Sequence, residues 1–261
     1  MLQEERIARI QALLGAFVRM STERLARELS VSRETVRRDI LELEAQGALR
    51  RVHGGVVATA AHAEPPFAQR QHIRAREKRA IARAVLPMLA PGQVIMLDAG
   101  TTTGYLAEAL CGLAGLTVIT NSLGIAMTLA RRAGTAESPR HEVILLGGTP
   151  HGDVPATYGS GTINEIRRYH ADLALLSPVG LSATHGATSY AHDEAAVAQA
   201  MAAQAGERVL LADYSKVGVV SRVRYASPED VNRIVTNAHA DPGFEDEMRR
   251  WRRAGVELVL A

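Results

Sequence analysis

The sequence has one cysteine, Cys111, in 261 residues. A single thiol excludes an internal disulfide and a cysteine-built metal cluster. Lysine is nearly as scarce: of thirty basic residues only Lys78 and Lys216 are lysine, and the rest are arginine. No apolar run approaches the ~20 residues that a membrane-spanning helix needs. The opening MLQEERIARI is charged and amphipathic and lacks the apolar core of a secretory leader. Low-complexity tracts and repeats of solenoid length are also absent. A soluble cytoplasmic protein with no membrane contact is the expectation. With 47% hydrophobic residues the chain can bury a full core. Its formal net charge of +2 says little until it is placed: residues 1–55 hold ten Arg against eight acids, and the remainder holds twenty of each sign. A small basic head on a neutral body suits a DNA reader better than a general nucleic-acid coat.

The head is expected over residues 1–57. Ile7, Ile10, Leu13 and Leu14 give a first helix closing near Gly15. Phe17 and Val18 form a short extended bridge. Ser21 caps a helix holding Leu25 and Leu29, and Ser30-Val31-Ser32 turns into the next. That helix is capped by Ser32, runs through Glu44 and stops at Gly47. Val36, Ile40 and Leu43 recur at i, i+4 and i+7 and face inward. Arg33, Thr35, Arg37 and Arg38 lie on the other face, where arginine forks suit phosphates and guanine edges. Apolar residues alternate on both sides of Gly54-Gly55, so residues 48–57 read as a hairpin. Helix, helix-turn-helix (about 20–39) and basic hairpin make a winged helix-turn-helix. The candidate DNA contacts are Thr22, Ser32, Arg33, Thr35, Arg37, Arg38, Arg50, Arg51, His53 and Gly54. The alternative is a solvated helical hairpin with surface arginines. The head resembles the DNA-binding domain of the DeoR family of bacterial transcriptional regulators. Ser32-Arg33-Glu34-Thr35-Val36-Arg37-Arg38-Asp39-Ile40 and Gly47-Ala48-Leu49-Arg50-Arg51-Val52-His53-Gly54-Gly55 carry that resemblance.

Residues 58–72 are expected as an extended linker, because Pro65-Pro66 cannot continue a helix. From residue 73 to 261 short apolar runs alternate with helical spacing. Strands are expected at Val94–Leu97, Thr117–Thr120, Val143–Leu146, Leu173–Leu176, Val209–Leu211, Val231–Thr236 and Val256–Leu260. This is an α/β pattern, a mostly parallel sheet covered on both faces. Ligands of such sheets bind beyond the carboxyl ends of the strands. Those ends read Asp98-Ala99-Gly100-Thr101-Thr102-Thr103-Gly104, Thr120-Asn121-Ser122, Gly147-Gly148-Thr149, Ser177-Pro178-Val179-Gly180 and Asp213-Tyr214-Ser215-Lys216. Glycine, hydroxyls and a helix start at Asp98–Gly104 are chemistry for a phosphate. The loop lacks a P-loop lysine and G-x-G-x-x-G, which argues against ATP hydrolysis and dinucleotide binding. Lys216 is either a point charge for phosphate or an exposed loop lysine. The run from His185 to His192-Asp193 is rich in histidine, but no two-histidine spacing sits on a helix, so no metal is expected.

The resemblance to the DeoR family extends over the body through Pro66-Phe67-x-x-Arg70, Glu77-Lys78-x-x-Ile81-Ala82, Asp98-Ala99-Gly100-Thr101-Thr102, Thr120-Asn121-Ser122, Gly147-Gly148 and Asp213-x-Ser215-Lys216-x-Gly218. It implies a Rossmann-like C-terminal domain similar to sugar-phosphate isomerases that senses a phosphorylated sugar or related metabolite. In that resemblance the loop holding Asp98, Gly100, Thr101, Thr102 and Thr103 faces the phosphate and Asn121, Gly148 and Lys216 line the pocket; Ser122, Gly180 and Glu194 complete the candidate effector residues, and no cofactor is expected. Ser177-Pro178-Val179-Gly180 departs from the family's Gly-Ala-x-Gly. The resemblance implies a repressor of metabolic genes that binds double-stranded operator DNA as a homo-oligomer, dimer or tetramer, and is released by its effector. A sugar-phosphate isomerase with a DNA-binding head is the alternative, disfavoured by the loss of acids at Ser177–Gly180. A constitutive DNA binder with a purely oligomerising body is the third.

Overall fold

The structure is a computed structural model that describes residues 2–16, 19–45, 48–52, 55–58, 66–131, 141–150 and 153–261. The chain divides into two compact units, Met1–Pro65 with Val219–Ser221, and Pro66–Gly218 with Arg222–Ala261.

The first unit runs α1 (Gln3–Ala16), β1 (Arg19–Ser21), α2 (Thr22–Glu28), α3 (Arg33–Ala45), β2 (Leu49–Val52) and β3 (Gly55–Ala58). Ile10, Leu14, Leu25, Val36, Ile40, Leu43 and Leu49 form its core. The bridge expected at Phe17 and Val18 and the stop expected at Gly47 lie outside the described residues. Ala48 N donates back to Leu43 O at 2.9 Å, a bond that closes α3. The residues after the bridge are a strand: β1 pairs antiparallel with β3, so the expected two-stranded wing is a three-stranded sheet in the order β1-β3-β2. Gly55 permits that pairing, because a Cβ there would lie 2.2 Å from Met20 O.

The second unit begins with α4 (Phe67–His72) and α5 (Ala75–Val85). The extended linker expected over 58–72 is therefore corrected: its last six residues are helical. Pro66 stands at the helix start, where its missing N–H is not needed, and its carbonyl accepts from Gln69 and Arg70. Then follow β4 (Val94–Leu97), α6 (Thr101–Leu110), β5 (Thr117–Thr120), α7 (Leu123–Ala130), β6 (Glu142–Leu145), β7 (Thr149–Pro150), β8 (Thr157–Tyr158), α8 (Ser160–Ile166) and β9 (Ala171–Leu176). The remainder is β10 (Gly180–Ser182), β11 (Gly186–Ser189), α9 (His192–Ala203), β12 (Ala205–Leu211), β13 (Val223–Ala226), β14 (Arg233–Thr236), α10 (Pro242–Arg253) and β15 (Glu257–Leu260).

Seven strands form one sheet in the order β15-β14-β12-β9-β4-β5-β6. Every pairing within it is parallel. Ile95, Leu97, Val118, Leu175 and Val209 face a core shared with α5, α6 and α7. Met96, Ile119, Ala174, Leu176 and Leu210 face the opposite core, with Ile166, Met201 and Trp251 of α8, α9 and α10. Alternate side chains thus feed two apolar layers, which is why the strands read as continuous apolar runs. The chain builds outward from β4 to β6, then returns to β9 and builds the other way. The strand order reverses between β4 and β9, and the carboxyl ends at that point are Asp98 and Ser177. A crevice at such a switch point is where open α/β sheets take ligands. A smaller antiparallel sheet, β10-β11-β13, was not expected from the sequence.

Candidate functional site

In the first unit the candidate face is the outer side of α3. Ser32 Oγ accepts from Thr35 N at 3.1 Å and lies 2.8 Å from Thr35 Oγ1. Both hydroxyls therefore serve the helix start, although both were also expected as DNA contacts. Arg33, Arg37 and Arg38 are exposed. Arg33 Nη1 lies 3.1 Å from Glu23, and Glu34 lies 3.8 Å from Arg37 and 4.0 Å from Arg38. Asp39, on the same helix, points inward and is 1% exposed. Its two oxygens accept from Arg6 Nε at 2.8 Å and Arg6 Nη2 at 3.0 Å, a fork that fixes α1 against α3. Thr22 is half-buried at the start of α2, whose cap is Ser21. On the wing Arg50 is exposed. Arg51 is tethered to the end of α3: its N donates to Glu44 Oε1 at 3.0 Å and its Nε to Glu44 Oε2 at 2.5 Å. The Arg51 backbone bond, above all, holds the Glu44 carboxyl below its ordinary range. His53 and Gly54 lie outside the described residues.

In the second unit Asp98, Gly100 and the threonines of the first turn of α6 lie at the switch point. Asp98 Oδ2 accepts from Ser177 N at 2.8 Å across the β4–β9 junction. Its Oδ1 is sealed from solvent with no hydrogen-bond partner among the described residues. Burial pushes the Asp98 carboxyl up to about 7, assisted by nearby Glu194 and opposed by the Ser177 N–H. Gly100 stands at the start of α6, and a Cβ there would lie 2.5 Å from Ser177 Cβ. Thr101, Thr102 and Thr103 are buried in the first turn. Thr103 Oγ1 accepts from Gly100 N at 2.9 Å and lies 2.8 Å from Asp98 O, so this hydroxyl shapes the loop. Asn121 Nδ2 donates to Thr157 O at 2.9 Å, and its buried Oδ1 has no partner among the described residues. Ser122 caps α7. Glu194 Oε2 accepts from Ser189 Oγ at 2.9 Å.

One expected glycine has a packing reason. Gly148 has φ +147°, and a Cβ there would lie 2.0 Å from Thr162 Oγ1 of α8. Gly180 is buried in β10, and its carbonyl accepts from Thr188 Oγ1 at 3.1 Å.

Lys216 lies in the turn Tyr214–Lys216 that follows β12, which Asp213 caps by accepting from Ser215 N at 2.9 Å. Beside it sits a group that carries no site role in the sequence reading. Lys78, on α5, is 4% exposed, and its Nζ donates to Arg70 O at 2.5 Å. Burial draws the Lys78 ammonium down to about 8, Asp213 pulls it back up, and Lys216, Arg70 and Arg74 push it further down. Arg74 is held at φ +53°, a strained conformation for a non-glycine residue. Its guanidinium lies 3.8 Å from Asp213 Oδ1 and 5.3 Å above the Tyr214 ring. The signal for Lys78 was lysine scarcity: the chain's two lysines belong to one electrostatic cluster.

An adjoining cavity of about 310 Å³ is lined by Gly100, Thr101 and Ser122 together with Phe67, Arg79 and Tyr105. It brings together the starts of α6 and α7. The other expected residues are not among its lining. No group of three or more His, Cys, Asp or Glu side chains among the described residues is placed to hold a metal ion. No helix among them is long and apolar enough to cross a membrane.

Asp98 supports a test of its environment. Its folded pKa, raised from 3.8 to about 7, means that the folded chain holds a proton which the unfolded chain releases. Stability therefore falls as pH rises between about 4 and about 7 and is level above that. Asp98→Asn removes this dependence. The urea midpoint of the variant, minus that of the parent, is expected to be larger at about pH 8 than at about pH 5. An equal difference at both would refute the raised carboxyl.

Residues 73–238 match the DeoR C terminal sensor domain, and residues 6–61 match the DeoR-like helix-turn-helix domain. The chain is 34% identical over its full length to the HTH-type transcriptional repressor GlcR of Bacillus subtilis, covering 97% of that protein. It is 33% identical to the HTH-type transcriptional repressor CsqR of Escherichia coli, over 92% of this chain and 89% of the relative. It is 29% identical to the glycerol-3-phosphate regulon repressor of Escherichia coli, over 84% of each chain. Among solved structures, ribose 5-phosphate isomerase A of Methanocaldococcus jannaschii aligns with a TM-score of 0.38 at 18% identity, over 54% of this chain and 53% of the other.

Proposed function

The chain belongs to the DeoR family, and we propose that it is a transcriptional repressor whose second unit senses a phosphorylated, polyhydroxylated metabolite. Its relatives named as repressors, one of them of a glycerol-3-phosphate regulon, support that reading. The DNA contact is assigned to α3 through Arg33, Arg37 and Arg38, with Arg50 on the wing reaching the backbone. One such head reads few bases, so a homo-oligomer is expected to bind paired half-sites.

The observation that carries the effector assignment is the cluster of Lys78, Lys216, Arg70 and Arg74 at the carboxyl edge of the sheet. Cations there suit an anion, and the first turn of α6 adds backbone N–H groups. The enclosed Asp98 and Asn121 side chains suit the hydroxyls of a sugar, because a buried polar atom without a partner is costly. The body is taken to bind its ligand without converting it.

Thermal unfolding against a panel of sugar phosphates, each paired with its unphosphorylated parent, tests this. A ligand at about 100 times its dissociation constant adds about 2.7 kcal/mol, enough to move the melt visibly. A shift with one phosphorylated compound and none with its parent is expected. Equal shifts with both would refute the anion site, and turnover of any panel member would refute the sensor reading.

A further inference from the structure

We propose that Glu34 is a specificity-determining residue of the DNA interface, accepting a hydrogen bond from the exocyclic amine of a cytosine in the major groove. The proposal rests on the reading that α3 enters that groove. Glu34 is the second residue of α3 and 64% exposed. Its neighbours on the outward face are Arg33, Arg37, Arg38 and the half-exposed Leu41. The three other acids of α3 are engaged elsewhere: Asp39 faces inward to Arg6, Glu42 accepts from Gln3 Nε2 at 2.6 Å, and Glu44 accepts from Arg51 N and Nε. Glu34 is the acid that faces the polyanion.

Its pairs with Arg37 and Arg38, at 3.8 and 4.0 Å, are long and exposed, and such pairs contribute little to stability. A carboxylate is repelled by phosphate and by the O6, O4 and N7 acceptors of guanine and thymine. The major-groove edge that offers it a donor most directly is cytosine N4. The first turn of a recognition helix is also the part that meets base edges. Arg37 and Arg38 screen the carboxylate on its approach and remain able to reach phosphates or guanine. Glu34 thus selects by attraction to cytosine and by repulsion elsewhere.

The full-length protein, E34A and E34Q are each used to select from a library of random DNA duplexes. The parent is expected to enrich a motif holding cytosine at one position in each half-site. E34A is expected to relax that position alone, and E34Q to move it toward adenine, which a carboxamide reads through N6 and N7. Replacing that cytosine should weaken the parent about tenfold and E34A hardly at all. A structural role for Glu34 would change the melting temperature and leave base preference alone. If the parent and E34A enrich the same motif, or the dependent base is not cytosine, the proposal is overturned while DNA reading stands. If the parent enriches no motif, both fall.

Discussion

Lys78→Gln is expected to weaken binding of the phosphorylated effector by about 30-fold, from the ~2 kcal/mol typical of a hydrogen bond to a charged group. DNA binding without effector should be unchanged. The unliganded variant should be at least as stable as its parent at neutral pH, because burial of the ammonium opposes folding. The linkage has a definite sign. The Lys78 pKa falls from 10.5 in the unfolded chain to about 8 in the folded one. Between those values the unfolded chain holds the extra proton, so the parent gains stability as pH rises from about 8 to about 10.5. A bound anion favours the charged amine, so effector binding takes up a proton in that range and weakens as pH climbs past about 8. At the acid end a phosphate monoester loses its second charge below about pH 6. Affinity should therefore peak between these limits in the parent, and its alkaline fall should be absent in Lys78→Gln. Calorimetric titration at several pH values checks both. An unchanged alkaline fall in the variant would remove Lys78 from the site.

The α/β body was legible because its signals are local. Val94–Leu97, Leu173–Leu176 and Val209–Leu211 are apolar on consecutive positions because both faces of the sheet are covered, and each ends at small or hydroxyl residues. The loop that carries the candidate site was legible to the same extent: Asp98, Gly100 and Thr101 announce themselves as a junction between strand and helix. What stayed hidden depends on contacts distant in sequence. Lys78 and Lys216 share one electrostatic cluster only because the fold brings α5 near the turn that follows β12, and neither local pattern shows the other. The antiparallel sheet of β10, β11 and β13 is made of strands of only three or four residues, and β10 and β11 are rich in Gly, Ser and Thr, which read equally well as loop. α4 was obscured by Pro65-Pro66, since proline stops a helix behind it yet suits a helix ahead of it. Gly148 shows a further limit. Glycine gives one signal for ligand approach, for positive φ and for close packing, and here Thr162 of α8 supplies the packing reason.

Asp39→Ala is expected to unfold the first unit and abolish DNA binding while leaving the effector-dependent melt of the second unit in place. The carboxylate is almost fully buried and Arg6 nearly so, at 1% and 14% side-chain exposure. Removing one partner of a buried pair strands the other charge, which is strongly destabilising. A unit of this size has little stability to lose, since small domains bury a modest fraction of their surface. Replacing both charges with apolar side chains avoids the stranded ion, so Arg6→Met with Asp39→Leu should restore most of the lost stability. Differential scanning calorimetry of the two single variants and the double variant measures the coupling directly. If Asp39→Ala melts with its parent, or the double variant loses the sum of the two single losses, the fork is not what holds α1 to α3. If the double variant refolds yet reads DNA poorly, the fork contributes alignment of α3 beyond stability. That outcome would place Asp39 among the residues that orient the arginines beside it.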